Sequence, residues 1–257
     1  MSAPVPISLR ARWQRPEPSL GLWHHLPVPR ASEIAGRSGF DWLCIDAQHG
    51  PFGGHEVESM LAAIAPTATP AIVRVPWHDP GAAMKALDAG AHGILFPVIR
   101  RAEEAAALIQ ACRHPPHGYR SWAGRGLGAE APARADALIA CGVMIETCEA
   151  IVELDAILAI DGLDFVFVGP DDLAISHGLP PSLTPTDPDL VRTIEDVAAR
   201  CADRGIAAGI YCGTPVMATR WAQTGFRILA TTADDTVLRE GLTDVATRMR
   251  AAVAVRD

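Results

Sequence analysis

Lysine is almost missing from this chain. Of its 22 basic side chains only Lys85 is a lysine, so any mechanism that forms an imine with a substrate carbonyl has a single candidate. Aromatic residues are also sparse, at 5% of 257 residues, with just two tyrosines. No apolar run approaches the roughly 20 residues of a membrane span. The N-terminus, MSAPVPISLRARWQRPEPSLG, carries arginine and proline where a secretory leader has its apolar core, and a cytoplasmic location is expected. A basic stripe is lacking as well. The formal net charge is −8, which excludes nucleic acid and anionic membrane as expected partners and leaves small molecules. The six cysteines form no CxxC or other zinc spacing, and reduced, mostly buried thiols are expected. Neither GxGxxG nor GxxxxGKS occurs, which removes the common phosphate-cradling loops.

What is present is a large apolar core and a repeating pattern. Hydrophobic residues make up 49% of the chain and charged residues 20%, as in a globular protein. Short β-rich runs are predicted over 18–23, 42–46, 70–75, 93–97, 141–146, 164–168, 207–211 and 226–231, alternating with helical segments, the last over about 236–253. Most runs are continuously apolar, as expected of strands covered on both faces. Eight such units predict an α/β fold, a (β/α)8 TIM barrel in one domain, with a doubly wound open sheet as the structural rival. The expected organisation is a Pro-rich N-terminal arm over 1–17 and a barrel over 18–257, with a Gly/Pro/Arg-rich loop and short helix over 113–140 as a candidate lid or subunit contact.

In a barrel the chemistry is built where strands end, so polar groups there carry the information. WLCID ends in Asp46 and runs into Gln48-His49. AIVRV holds Arg74, VMIE ends in Glu146, and FVFVG runs into Asp171-Asp172. Glu146 and Asp172, from adjacent strands, suit an oxygen-rich divalent metal site; salt bridges to arginine are the alternative. His49 lies three residues after Asp46, close enough for the carboxylate to orient its ring as a general base, although a loop histidine is also commonly solvated. Arg74 needs an anion, either a neighbouring carboxylate or a developing oxyanion. The backbone N–H groups near Asp172 could receive a substrate carboxylate. The other histidines, His25 among them, are expected to pack or face solvent. Lys85 sits inside the helix PGAAMKALDAG, away from any strand end, which favours a metal-held enolate over an imine.

The ordered motifs GFDWLCIDAQHGP (39–51), RVPWHDP (74–80), LDAGAHGILFPVI (87–99), HPPHGYRS (114–121), MIETCEA (144–150) and GLDFVFVGPDDLA (162–174) resemble the HpcH/HpaI aldolases, metal-dependent class II pyruvate aldolases. The resemblance covers roughly 18–250. It implies a carbon–carbon lyase that cleaves a 4-hydroxy-2-oxo acid to pyruvate, or a close 2-oxo acid, and an aldehyde. It also implies Mg²⁺, Mn²⁺ or Co²⁺ held by Glu146 and Asp172, and a homo-oligomer, expected as a hexamer, whose last helix is swapped between subunits. By the same resemblance His49 is the base, oriented by Asp46, and Arg74 steadies the enolate. Gly169, Asp171 and Asp172 then hold the pyruvate end, while Arg120 and Tyr211 lie near the substrate. Gln48, Met144 and Ala174 depart from the best-known members and bear on which aldehyde is accepted. Two other functions fit the same features: an oxaloacetate decarboxylase or macrophomate-synthase-like enzyme using the same enolate, and a non-catalytic barrel that only binds.

Overall fold

The structure, a computed structural model, describes residues 8–51 and 53–254. Eight strands, β1 (Ser19–His24), β2 (Trp42–Asp46), β3 (Ala71–Arg74), β4 (Gly93–Phe96), β5 (Ala140–Ile145), β6 (Phe165–Val168), β7 (Ala207–Tyr211) and β8 (Ile228–Ala233), pair in sequence order. All the pairings are parallel, and β8 returns to β1, so the sheet is a closed (β/α)8 barrel and the open-sheet alternative is removed. Among the described residues no helix is long and apolar enough to cross a membrane.

Strand alternation sorts the apolar residues into two cores. Leu43, Ile45, Val73, Val143, Ile145, Val166 and Val168 point outward into the layer shared with the helices. Trp42, Cys44, Ile72, Met144, Phe165 and Phe167 point inward and fill the barrel. Trp23, Trp42, Phe165 and Phe167 meet in this interior, and glycines make room for the large rings. A β-carbon on Gly21 would lie 2.1 Å from the Trp42 ring, and one on Gly209 would lie 2.4 Å from Phe167. Such large-and-small pairing is what fills a tapering cylinder without voids.

The helices start and stop where side-chain chemistry directs. Asp79 Oδ1 accepts from the N–H groups of Gly81 (2.8 Å) and Ala82 (3.1 Å), capping the helix Pro80–Asp88, and Gly90 turns the chain afterwards at φ +100°. The N-terminal segment contributes more than its proline content suggests. Residues 1–7 lie outside the described residues, but Leu9–Trp13 form a short helix whose Leu9 and Trp13 are buried in the barrel interior. Trp13 packs on Phe165 with ring centroids 4.8 Å apart, closing the N-terminal mouth. The terminal helix, Asp234–Ala254, buries none of its residues against this chain.

Candidate active site

The same alternation that buries Cys44, Ile72 and Met144 carries the next inward positions, Asp46, Arg74 and Glu146, to the C-terminal mouth. The β2–β3 register sets Asp46 directly beside Arg74. Their side chains meet as a two-pronged pair, Arg74 Nε donating to Oδ1 at 2.8 Å and Nη2 to Oδ2 at 2.6 Å. Trp23 donates its indole N–H to Oδ2 at 3.2 Å and lies 5.2 Å below the guanidinium. Burial by itself would raise the Asp46 pKa. Hydrogen bonds from His25 and Arg74 outweigh it and hold the carboxyl well below the usual range. The neighbouring-carboxylate option for the arginine is met by two nitrogens committed to Asp46, while among the described residues Nη1 has only the Met144 sulfur, at 3.6 Å.

Glu146 is the opposite case. It is 2% exposed, and burial pushes its carboxyl up to about 7. Oε1 accepts from the Val98 N–H at 2.6 Å, a donor presented by a backbone at φ +54°, which is unusual for a β-branched residue. Oε2 is buried and has no partner among the described residues. Gly169 leaves the space it occupies, since a β-carbon there would lie 2.4 Å from Oε2. The Asp172 charge adds to the upward push, which places the two carboxylates within electrostatic reach. Among the described residues no group of three or more His, Cys, Asp or Glu side chains could hold a metal. Two carboxylates, one with a buried unpartnered oxygen, fit a hard divalent ion whose remaining positions go to water and substrate oxygens.

These groups open into one cavity of about 280 Å³, lined also by His25, His49, Phe167, Asp171, Leu183 and Tyr211. Burial and the neighbouring Asp172 raise the Asp171 carboxyl, and burial pushes the Tyr211 hydroxyl up to about 12. Of the residues singled out in the sequence, Asp46, His49, Arg74, Glu146, Gly169, Asp171, Asp172 and Tyr211 meet at this mouth. Lys85 is exposed on the helix Pro80–Asp88, outside the barrel wall.

Two expectations change, and Arg120 stands apart from this cavity within its own chain. Asp46 does not reach His49 through its ring: Oδ1 accepts from the backbone N–H groups of Gln48 (3.1 Å) and His49 (3.3 Å), fixing the turn on which His49 stands. The histidine whose ring meets Asp46 is His25, its Nε2 3.1 Å from Oδ2. His25 was missed because its partners are remote in sequence; an adjacent-strand register is what joins them. Arg120 is at the opposite end. Its N–H donates to the Arg113 carbonyl at 2.8 Å, and its Nη2 to Asp88 at 2.8 Å, at the foot of the helix Pro80–Asp88. The loop that carries it follows the helix Ala102–Ala111 rather than a strand, which delivers it to the N-terminal mouth of its own barrel.

Residues 19–240 match the family model described as HpcH/HpaI aldolase/citrate lyase. The chain is 34% identical over 226 residues to a hydroxypyruvate/pyruvate aldolase of Sagittula stellata, covering 86% of this chain and 88% of that protein. It is 35% identical over 248 residues to a 4-hydroxy-2-oxo-heptane-1,7-dioate aldolase of Salmonella paratyphi B, covering 91% of each. A crystal structure of an HpcH/HpaI aldolase/citrate lyase family protein from Burkholderia cenocepacia J2315 superposes with a TM-score of 0.87 at 33% identity, over 94% of this chain and 98% of that one. With a matched segment that spans the whole barrel and every strand end just described, the chain belongs to the HpcH/HpaI aldolase/citrate lyase family.

Proposed function

We infer that the protein is an aldolase, a carbon–carbon lyase that reversibly cleaves a 4-hydroxy-2-oxo acid to pyruvate, or a close 2-oxo acid, and an aldehyde, with Glu146 and Asp172 holding Mg²⁺, Mn²⁺ or Co²⁺. The buried Oε2 of Glu146, without a partner among the described residues, carries this reading: burial favours the protonated carboxyl in the free protein, and a divalent ion would supply the pairing that the ionised form lacks. Bound there, such an ion lowers the cost of negative charge on the oxygens of a 2-oxo acid. Arg74, fixed by Asp46 and Trp23, offers Nη1 to the oxo oxygen as charge develops on it. The first-turn N–H groups of the helix Pro170–Ser176, at Asp171 and Asp172, receive the substrate carboxylate. His49, on the turn that Asp46 fixes, takes the proton of the 4-hydroxyl as the C3–C4 bond breaks; the aldehyde is released, the enolate carbon takes up a proton from water to give pyruvate, and condensation runs the same steps in reverse. Trp23, Phe167 and Met144 line the cavity and exclude water from the charged fragment.

Incubating the protein with pyruvate in deuterium oxide, with and without each ion, tests the core of the reading. Ion-dependent loss of the methyl proton signal is expected. Exchange with none of the three ions would remove the pyruvate chemistry.

The terminal helix supports an assembly. Leu238, Leu242, Val245, Met249 and Val253 repeat at spacings of three and four along one stripe and are all at least half exposed. A neighbouring subunit covers this stripe in the expected hexamer with exchanged last helices. Light scattering should give a mass of several chains, and a single-chain mass would end that proposal.

A further inference from the structure

His25 stands just beyond β1, at the solvent end of the cavity, and each of its ring nitrogens faces a carboxylate. Nε2 is 3.1 Å from Asp46 Oδ2, and Nδ1 is 3.4 Å from Asp235 Oδ1 in the first turn of the terminal helix. Carboxylates only accept hydrogen bonds when ionised, so this environment asks for a proton on both nitrogens at once. A neutral ring can satisfy only one of the two.

The backbone repeats the link. Asp234, next to Asp235, accepts from the N–H groups of His25 (2.7 Å) and Leu26 (3.3 Å) and pairs with the buried ring of His24. The charged and titratable groups around His25 are therefore Asp46 on β2, with Arg74 of β3 behind it, Asp234 and Asp235 on the terminal helix, His24 on β1, and Tyr211 on β7 across the cavity. Negative charge predominates next to the ring. Its hydrogen bond with Asp46, helped by the charges of Asp46 and Asp235, raises the His25 pKa against the opposing effect of burial.

We propose that His25 is a positioning residue, an imidazolium clamp that ties the first turn of the terminal helix to the Asp46–Arg74 pair and sets an alkaline limb on the enzyme's activity. Loss of its proton leaves one ring nitrogen without a hydrogen to face its carboxylate and removes the positive charge beside Asp46. Arg74 is aimed by its two bonds to Asp46 and by Trp23, with Nη1 against the Met144 sulfur, so a looser Asp46 moves the one guanidinium nitrogen left for substrate. The sign follows from the raised pKa: the clamp is closed below it and opens as pH rises through it. The inference rests on the aldolase reading for its kinetic consequence, but not for the protonation of the ring.

The test uses the full-length enzyme, its His25→Gln and Asp235→Asn variants, and two readouts. Imidazole NMR, with the His25 signal assigned by its loss in His25→Gln, should give a titration above the ordinary histidine value of about 6.5. Asp235→Asn should move that titration to lower pH and carry the alkaline limb of kcat with it. His25→Gln, which keeps an N–H for Asp46 but does not titrate, should abolish the limb and lower kcat about tenfold, with KM for the oxo acid nearly unchanged. A His25 titration at or below 6.5 overturns the clamp. So does an alkaline limb identical in wild type and both variants. Should His25→Gln fail to fold, Asp235→Asn, at a half-exposed side chain, still decides through the paired movement of titration and limb. An ordinary clamp titration with no lyase or exchange activity at any pH would instead count against the aldolase reading alone.

Discussion

The two mouths of the barrel both carry buried arginine–aspartate pairs, yet they account for their charges differently. At the N-terminal mouth Asp164 receives Arg10 (2.8 Å), Arg113 (2.5 Å) and the Cys141 N–H (2.7 Å), and Asp88 receives Arg120. Each of these carboxylates has a cation. At the C-terminal mouth Asp46 is paired just as fully, while Glu146, equally buried, has one backbone N–H and no cation on its second oxygen. The lesson is that a buried ion pair is weak evidence for chemistry, since folds use such pairs as fasteners. The informative group is the buried charge whose partner is missing from the chain.

That contrast can be broken by substitution. The largest effect is expected from Glu146→Gln, which should reduce ion-dependent activity by about 10³-fold or more and abolish metal binding measured by calorimetry. In the metal-free protein the same change should stabilise. The Glu146 pKa, raised to about 7, means that the folded state holds a proton the unfolded chain has released, so stability falls as pH climbs from the ordinary carboxylate range through 7. At pH 8 the glutamine variant should therefore resist urea better by roughly 3 kcal/mol. A less stable variant would make Glu146 a fastener like Asp164. His49→Ala comes next, with cleavage slowed about 10²- to 10⁴-fold and metal affinity retained; loss of both together would assign His49 to the metal. Arg113→Lys tests the other mouth. Replacing its fork should cost a few degrees of melting temperature, while kcat/KM of the folded enzyme stays within about twofold. The smallest effect is expected for Lys85→Arg, which should leave exchange and cleavage unchanged. An inactive but folded Lys85→Arg protein would restore the imine mechanism.

Much of the barrel is legible in the sequence alone. The eight apolar runs, the alternation inside them and the charged residue that ends several of them are local features, and they led to Asp46, Arg74 and Glu146 because a charge at the end of a buried strand has few other uses. What escaped depended on contacts between distant segments. His25 looks like one of two adjacent histidines until the β1–β2 register and the terminal helix bring Asp46 and Asp235 to it. The role of Gly169 as space for the Glu146 carboxylate depends on the approach of β5 to β6. Arg120 is a different case. Its segment follows a helical pattern, and in a barrel a loop that follows a helix leads to the N-terminal mouth, so its position was deducible from element order alone. The burial of Trp13 could not be inferred in that way, because a proline-rich stretch gives little sign of the short helix it contains.

The closed N-terminal mouth has a consequence for the order of events. With Leu9 and Trp13 seated beneath Phe165, the barrel is blind-ended, and both fragments of a cleaved substrate must leave by the opening through which the substrate came. In the proposed reaction the oxo-acid fragment is held at the buried Glu146 and Arg74, and the aldehyde leaves from the outer part of the cavity that His25 and Tyr211 line. The upper fragment has to depart first. Steady-state kinetics should then read as a queue, with the 2-oxo acid inhibiting competitively against the substrate and the aldehyde noncompetitively.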